Sequence, residues 1–306
     1  MWSVSVTSLA SKASETDAKS GDLATGQAWV LEPRGIGLFA RFVEIWQYRR
    51  LISYFAIDSI QRTYRSTLLG WGWLLIRPIF PVVVGTLVFH SLIGVTSPDT
   101  VPYFLFYLIG HSIFEFFEDC LIRNTRSLQM NKRILTKLYF PRIILPAATM
   151  APGMVTFGIH LVLITLTVVY FAVTDGRVYF VFGFETLFAF AAVFMSMMLS
   201  FGLGLFTSVL GAEVRDVRFT LRYILRFWYF LTPVFYPLSA VPEQWRLLAS
   251  INPMTTIVEL FKYGLLRGSL SITSEHVAVT VLVLLVLLIV GFAYFWHAEA
   301  SSVDRL

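Results

Sequence analysis

The sequence predicts an all-α polytopic membrane protein, with six transmembrane helices, an N-terminal amphipathic interface helix and short re-entrant helices between spans five and six. Three observations predict it. First, 57% of the 306 residues are apolar, only 14% are charged, and the mean hydropathy is +0.71; soluble domains run at roughly 45–50% apolar and about 25% charged. Second, the apolar residues gather into stretches near the ~20 residues a helix needs to cross a bilayer. Third, the basic residues fall between these stretches, as topology signals do. This balance excludes a water-soluble enzyme and a disordered chain. The net charge of +5 is dispersed and forms no nucleic-acid patch. A single cysteine, Cys120, excludes a disulfide framework and a cysteine-rich metal or iron–sulfur centre.

Taken in order, residues 1–37 are rich in Ser, Ala, Thr, Gly and Asp without periodicity, which predicts a flexible cytoplasmic tail. No basic start precedes an apolar core, so this is not a signal peptide. Residues 38–67 are expected to form an amphipathic helix at the cytoplasmic interface. Phe39, Phe42, Ile45, Trp46, Ile52, Phe55 and Ala56 fall near helical spacing among Arg41, Glu44, Arg49 and Arg50. Packing of that helix on a partner protein is the alternative, and the two are not exclusive.

The transmembrane domain is assigned to residues 68–297. Span one covers about 68–93, with Arg77 able to snorkel. Span two, about 101–122, is aromatic-rich and carries Glu115, Glu118 and Asp119. Span three, about 143–173, is too long to run straight, and Pro146, Pro152 and Gly153 predict a break near its start. Span four covers about 179–210. Span five, about 219–238, is interrupted by Pro233 and Pro237, and span six, about 277–297, is the most uniformly apolar. Between the last two, the apolar piece 251–266 is too short to cross and holds Pro253, Glu259 and Lys262, which predicts a re-entrant pair. Residues 298–306 are a short cytoplasmic tail. The second and fourth loops hold ten Lys and Arg residues against four on the opposite side, so both termini are predicted to be cytoplasmic.

No G-x-x-x-x-G-K-[ST] is present, so the chain has no P-loop for nucleotide. H-E-x-x-H, C-x-x-C and G-x-S-x-G are also absent, and no metal site is expected. The five histidines are scattered; haem ligation would need two of them facing at one depth, and isolated hydrogen-bonded histidines are the simpler reading. Glu115, Glu118 and Asp119 share one helix face. They read either as a proton or cation site or, preferably, as residues at the cytoplasmic mouth paired with Arg123 or Arg126. Ala192, Ser196, Ser200, Gly204 and Ser208 recur every four residues, a spacing that predicts a tight helix–helix seam. Aromatics cluster in spans one, two and five beyond what interfacial girdles need. Flat aromatic faces suit the C–H faces of sugar rings without imposing one register.

Four segments then carry a resemblance. They are Arg62-Thr63-Tyr64-Arg65-Ser66 with Leu69-Gly70-Trp71 and Arg77-Pro78; Leu138-Tyr139-Phe140-Pro141-Arg142 with Ile144-Leu145-Pro146; Arg215-Asp216-Val217-Arg218; and Leu231-Thr232-Pro233-Val234-Phe235-Tyr236-Pro237 with Val241-Pro242-Glu243-Gln244-Trp245 and Ile251-Asn252-Pro253-Met254. In order and spacing, over about residues 41–297, the chain resembles the membrane subunit of ABC-2 type polysaccharide exporters, the O-antigen, teichoic acid and capsule permeases. The resemblance implies a homodimer in the bacterial inner membrane, bound to two copies of a cytoplasmic ABC ATPase. Cofactors would be absent from this chain, ATP and Mg being held by the ATPase. The substrate would be a lipid-linked glycan, with membrane lipid as the surroundings and no nucleic acid. A coupling segment, about 123–142, would dock on the ATPase through Arg126, Leu128, Met130, Lys132, Arg133 and Lys137. A channel would be lined by Trp71, Trp73, Tyr103, Tyr107, Phe114, Phe227, Trp228, Tyr229 and Phe230. An outer gate, about 233–276, would use Pro233, Tyr236, Pro237, Trp245, Asn252 and Pro253. The alternatives are an ABC-2 drug or small-lipid exporter, or a membrane-embedded glycan-modifying enzyme using the acidic trio or a histidine.

Overall fold

A computed structural model of the chain describes residues 46–64, 72–98, 101–135, 137, 140–180, 183–242, 244–245, 249, 251–266 and 272–301. The chain divides into two units, Met1–Arg49 and Arg50–Leu306. In the first, residues 46–49 are described, and the Arg49 guanidinium lies 5.7 Å from the centre of the Trp46 ring. The expected N-terminal tail, the amphipathic residues up to Ile45, Trp71 and residues 302–306 lie outside the described residues, as do the side chains of Trp73 and Arg77.

Among its described residues, the regular structure of the second unit is helical apart from one isolated antiparallel bridge between Phe180 and Leu266. Helix α1 is Arg49–Tyr64. Helix α2, Gly72–Gly85, contains Pro78 and Pro81 and continues as a wider π-helical segment, Thr86–Leu92, ended by Gly94 at φ 83°. Helix α3 is Tyr103–Met130, followed by the single turn α4, Lys132–Leu135. Helices α5, Ile144–Thr149, and α6, Ala151–Asp175, meet at Met150 beside Pro146 and Pro152, which is the expected break. Helix α7 is Thr186–Glu213, α8 is Arg215–Leu231, α9 is Pro253–Leu265 and α10 is Ser274–Ser301.

Among the described residues, three segments are long and apolar enough to cross a membrane: Ile144–Asp175, Thr186–Glu213 and Ser274–Ala298; Pro78–Leu92 is apolar but shorter. Helix α3 is as long as α7 but carries charge, which it tolerates because the protein surrounds it. Twenty of its residues, from Tyr103 to Ser127, are buried against α5, α6, α7 and α9. The fifth apolar stretch is displaced from its expected limits. Its helix starts at Arg215 and stops at Leu231, because Pro233 lacks an N–H and holds Thr232 extended at ψ 138°. The fourth stretch begins at Thr186 and not near Tyr179, since Gly176 in the left-handed region ends α6 and a loop follows.

Helix α7 is the hub, packed most extensively on α3, then on α10 and α9. The expected seam is real: Ala192, Ser196, Ser200, Gly204 and Ser208 are all buried. A Cβ at Gly204 would stand 2.5 Å from Cβ of Asn124, so only glycine lets α3 approach there. Asn124 uses that proximity, donating to the Ser200 carbonyl (3.4 Å) and accepting from Thr149 (3.1 Å), while the Thr125 and Thr207 hydroxyls share a 2.7 Å hydrogen bond. Outward faces of α6, α7 and α10 carry exposed Val169, Phe190, Phe194, Leu282 and Ile289. Such a belt on three membrane-length helices is a lipid-facing surface.

Candidate functional site

The features that bear on function lie along α3, α8 and α9. Helix α8 is about two-thirds exposed. Leu225 is buried and Leu221, Trp228 and Tyr229 are half-buried, whereas Arg215, Arg222 and Arg226 are exposed along one stripe. Beside it runs a second exposed stripe, Phe219, Tyr223, Phe227 and Phe230, with Phe227 71% accessible. At 3.6 residues per turn, positions 219, 223, 227 and 230 fall on one face, immediately flanking 215, 222 and 226. Depth follows from contacts. Tyr229 stacks edge-on at 5.0 Å from Phe114 and 5.9 Å from His111, in the middle of α3. Arg226 is less than one turn away.

Of the expected channel residues, Phe227 and Phe230 present their rings to the outside of the subunit. Trp228 and Tyr229 are half-buried, and Tyr103, Tyr107 and Phe114 are buried within it. The buried ones act as fasteners. Tyr103 donates to the Phe235 carbonyl at 2.6 Å, and the Tyr229 hydroxyl donates to that of Tyr107 at 2.9 Å. The Trp228 indole donates to Asn252 Oδ1 at 2.8 Å and meets Phe117 edge-on at 5.3 Å.

The residues expected at the outer gate form a knitted segment. Asn252 caps α9 by accepting from the Met254 N–H (3.0 Å), and its amide donates to the Thr232 hydroxyl (2.9 Å), which donates to the Trp228 carbonyl (2.9 Å). One asparagine thus joins the end of α8 to the start of α9. Pro253 opens α9 at a position where no N–H is needed. Pro233 is buried, and its carbonyl accepts a 2.6 Å hydrogen bond from Lys262 Nζ. That ammonium also sits 3.8 Å from the centre of the Phe106 ring and 3.8 Å from Glu259. Tyr236 and Pro237 are half-buried, and Trp245 is exposed. Helix α9 thus carries a glutamate and a lysine because both are buried inside protein.

At the opposite end of α3, Met130, Lys132, Arg133 and Lys137 are exposed, and Arg126 and Leu128 are half-buried. Arg218 and Arg222 are electrostatic neighbours of Arg126, so α3 and α8 bring their basic groups together here. Phe55 of α1 packs on Phe140 at 5.6 Å, and Arg123 donates to Thr63 of α1 at 3.0 Å. A cavity of about 310 Å³ lies between α1 and α3, lined by Asp58, Arg62, Asp119, Arg123 and Arg126 among others.

The acidic trio divides. Asp119 accepts from Arg123 at 2.9 Å, as the mouth reading expects. Glu115 instead points inward, between His111 and His160. The sequence gives a signal for His111 and Glu115, which stand one helical turn apart, but none for His160, which is 45 residues away and reaches them only through α3–α6 packing. Lys262 was likewise legible as a charge in a short apolar helix, but its partners were not.

Comparison with known proteins agrees with an all-α membrane subunit. The chain is 23% identical to the O-antigen export system permease protein RfbA of Myxococcus xanthus over 264 residues, covering 86% of this chain and 95% of that protein. It is 21% identical to the O-antigen export system permease protein RfbA of Klebsiella pneumoniae, covering 76% and 85%. It is 23% identical to the polysialic acid transport protein KpsM of Escherichia coli, covering 80% and 92%. The profile of the ABC-2 type transporter family matches residues 50–266, which span α1 through α9. The chain belongs to the ABC-2 type transporter family, as a transport subunit and not an enzyme.

Proposed function

We propose that this chain is the membrane subunit of an ATP-driven exporter that moves a lipid-linked polysaccharide, of the O-antigen or capsule class, across the bacterial inner membrane. The similarity to RfbA and KpsM supports the substrate class. The observation that carries the reading is the exposed face of α8. Arginine at the centre of a bilayer costs about 2.5–3.5 kcal/mol or more when it faces lipid. Arg226 is exposed less than one turn from Tyr229, which contacts the middle of α3, and Arg222 follows it one turn nearer the basic end, beside Arg126. Water, and not lipid, is the medium that this face suits. Guanidinium groups offer donors to sugar hydroxyls and acidic sugars, and the adjacent rings offer flat faces over which a polymer slides.

A two-fold pathway needs a second copy, so the functional unit is a homodimer with the α8 faces toward the shared path. Six spans, with both termini cytoplasmic, put the α3–α4 junction on the cytoplasmic side. There Met130, an exposed apolar knob flanked by Lys132, Arg133 and Lys137, docks on a separate ABC ATPase, two copies per dimer, which holds ATP and Mg. ATP-driven closure of that pair pushes α3, and because α3 is the buried central helix, the whole bundle moves with it. The Pro233–Asn252 region, tied to α8 and α9, is the outer gate.

Two experiments test this. Cys120 is buried, so the wild-type chain is a nearly silent background for thiol labelling. Cysteines placed at Arg226 and Phe227 are expected to react with a membrane-impermeant maleimide when the complex is assembled in vesicles, and cysteines at Phe190 and Leu282 are not. Equal protection at all four positions removes the aqueous path. Separately, Arg133→Glu with Lys137→Glu is expected to abolish export and lower substrate-stimulated ATP hydrolysis severalfold in the reconstituted complex, with the fold of the subunit retained. Unchanged coupling would place the ATPase contact elsewhere.

A further inference from the structure

We propose that His111, Glu115 and His160 bind a divalent transition metal ion, zinc by ligand chemistry, which fastens α3 to α6 inside the subunit. Glu115 Oε2 lies 3.2 Å from Nε2 of His111 and 3.1 Å from Nε2 of His160. One ligand atom from each of the three residues lies within 4.8 Å of the others, and all three residues are buried.

The proton inventory gives the reason. His160 Nδ1 is 3.0 Å from the Thr156 carbonyl, which only accepts, so Nδ1 carries a hydrogen. His111 Nδ1 is 3.2 Å from the Tyr229 hydroxyl, which spends its one hydrogen on Tyr107; its oxygen therefore accepts from Nδ1–H. In the neutral rings both Nε2 atoms are then lone pairs, and both face a carboxylate oxygen. Three acceptors converging in a buried site repel one another unless a cation sits among them.

A proton on His160 Nε2 serves one contact, a 3.1 Å hydrogen bond to Glu115 Oε2, and leaves the buried Nε2 of His111 3.2 Å from the same oxygen. A metal ion placed between the three atoms serves both contacts. Bonds of about 2.0–2.1 Å to zinc in a tetrahedral array put neighbouring ligand atoms roughly 3.3 Å apart, close to the two separations found. Both imidazoles also direct their Nδ1–H to an oxygen, the support that metal-bound histidines receive. Two imidazoles with one carboxylate select zinc-like ions over magnesium or calcium. Tyr229 extends the tie to α8.

The test uses full-length protein purified without a polyhistidine tag, stripped with chelator and titrated with Co²⁺ and then Zn²⁺. One Co²⁺ per chain with the visible bands of a four-coordinate site is expected, displaced by Zn²⁺, and Zn²⁺ is expected to raise the melting temperature. His160→Gln should weaken Co²⁺ binding a hundredfold or more, and His90→Gln, an exposed histidine, should leave it unchanged. Tyr229→Phe keeps the ring but removes the acceptor for His111 Nδ1–H, and should weaken binding by about 10-fold to 100-fold. It provides the reading if His160→Gln does not fold. Folded wild-type protein that takes up no Co²⁺ at neutral pH, or binding that is indifferent to both variants, overturns the proposal.

Discussion

Replacing Arg222 and Arg226 together with glutamine is expected to lower polysaccharide export about tenfold or more while leaving the subunit folded and bound to its ATPase. Both side chains are exposed on α8, so neither supports the core. Hydrogen bonds to a charged group contribute about 1.5–3 kcal/mol, and a change of 1.4 kcal/mol is roughly a factor of ten. Losing two such donors from the wall of a polar pathway therefore exceeds a tenfold effect unless the sugars make compensating contacts. Glutamine preserves helix propensity and some donor capacity, which separates loss of charge from loss of structure. The measurement is surface polysaccharide in cells complemented with the variant, with co-purification of the ATPase as the control. Full export would mean that the arginine stripe does not meet the substrate. Loss of co-purification would assign the stripe to docking.

The second large effect is expected at Lys262. Lys262→Met should destabilise the subunit by about 3–5 kcal/mol, because removing one member of a buried ion pair leaves the other charge in a poor solvent. Glu259 is that other charge, and both are buried. The substitution also removes the donor to the Pro233 carbonyl and the cation over Phe106. Methionine fills nearly the same volume, so the loss is electrostatic and not a cavity. A clear drop in melting temperature of the detergent-solubilised protein, partly restored by adding Glu259→Gln, is the expected pattern. An unchanged melting temperature would show that the α9 lysine is a spectator. Restoration by the double change, with export still lost, would separate stability from the attachment of the 233–237 segment to α9.

Where the chain could be read, it was read from local rules. The uninterrupted apolar run of α10, the break beside Pro146 and Pro152, and the four-residue recurrence of small residues on α7 each need only the geometry of one helix. Hydropathy misplaces the limits of the fifth stretch because it scores Arg215–Arg226 as polar, whereas the helix depends on backbone hydrogen bonds and is stopped by Pro233. Trp228 shows the harder limit. An aromatic beside a proline suits a channel wall equally well as a fastener, and its 2.8 Å bond to Asn252, across 24 residues, comes from the fold alone.

By itself the sequence determined that this is a membrane protein and that it carries no P-loop motif, because apolar length and the spacing of glycine and lysine are properties of composition and order. Tertiary structure decided which polar groups are hidden. Glu115 meets His111 and His160, Lys262 belongs with Pro233, and Arg226 remains exposed. Charge inside a bilayer is governed by what surrounds it, and those surroundings come from helices far apart in the chain.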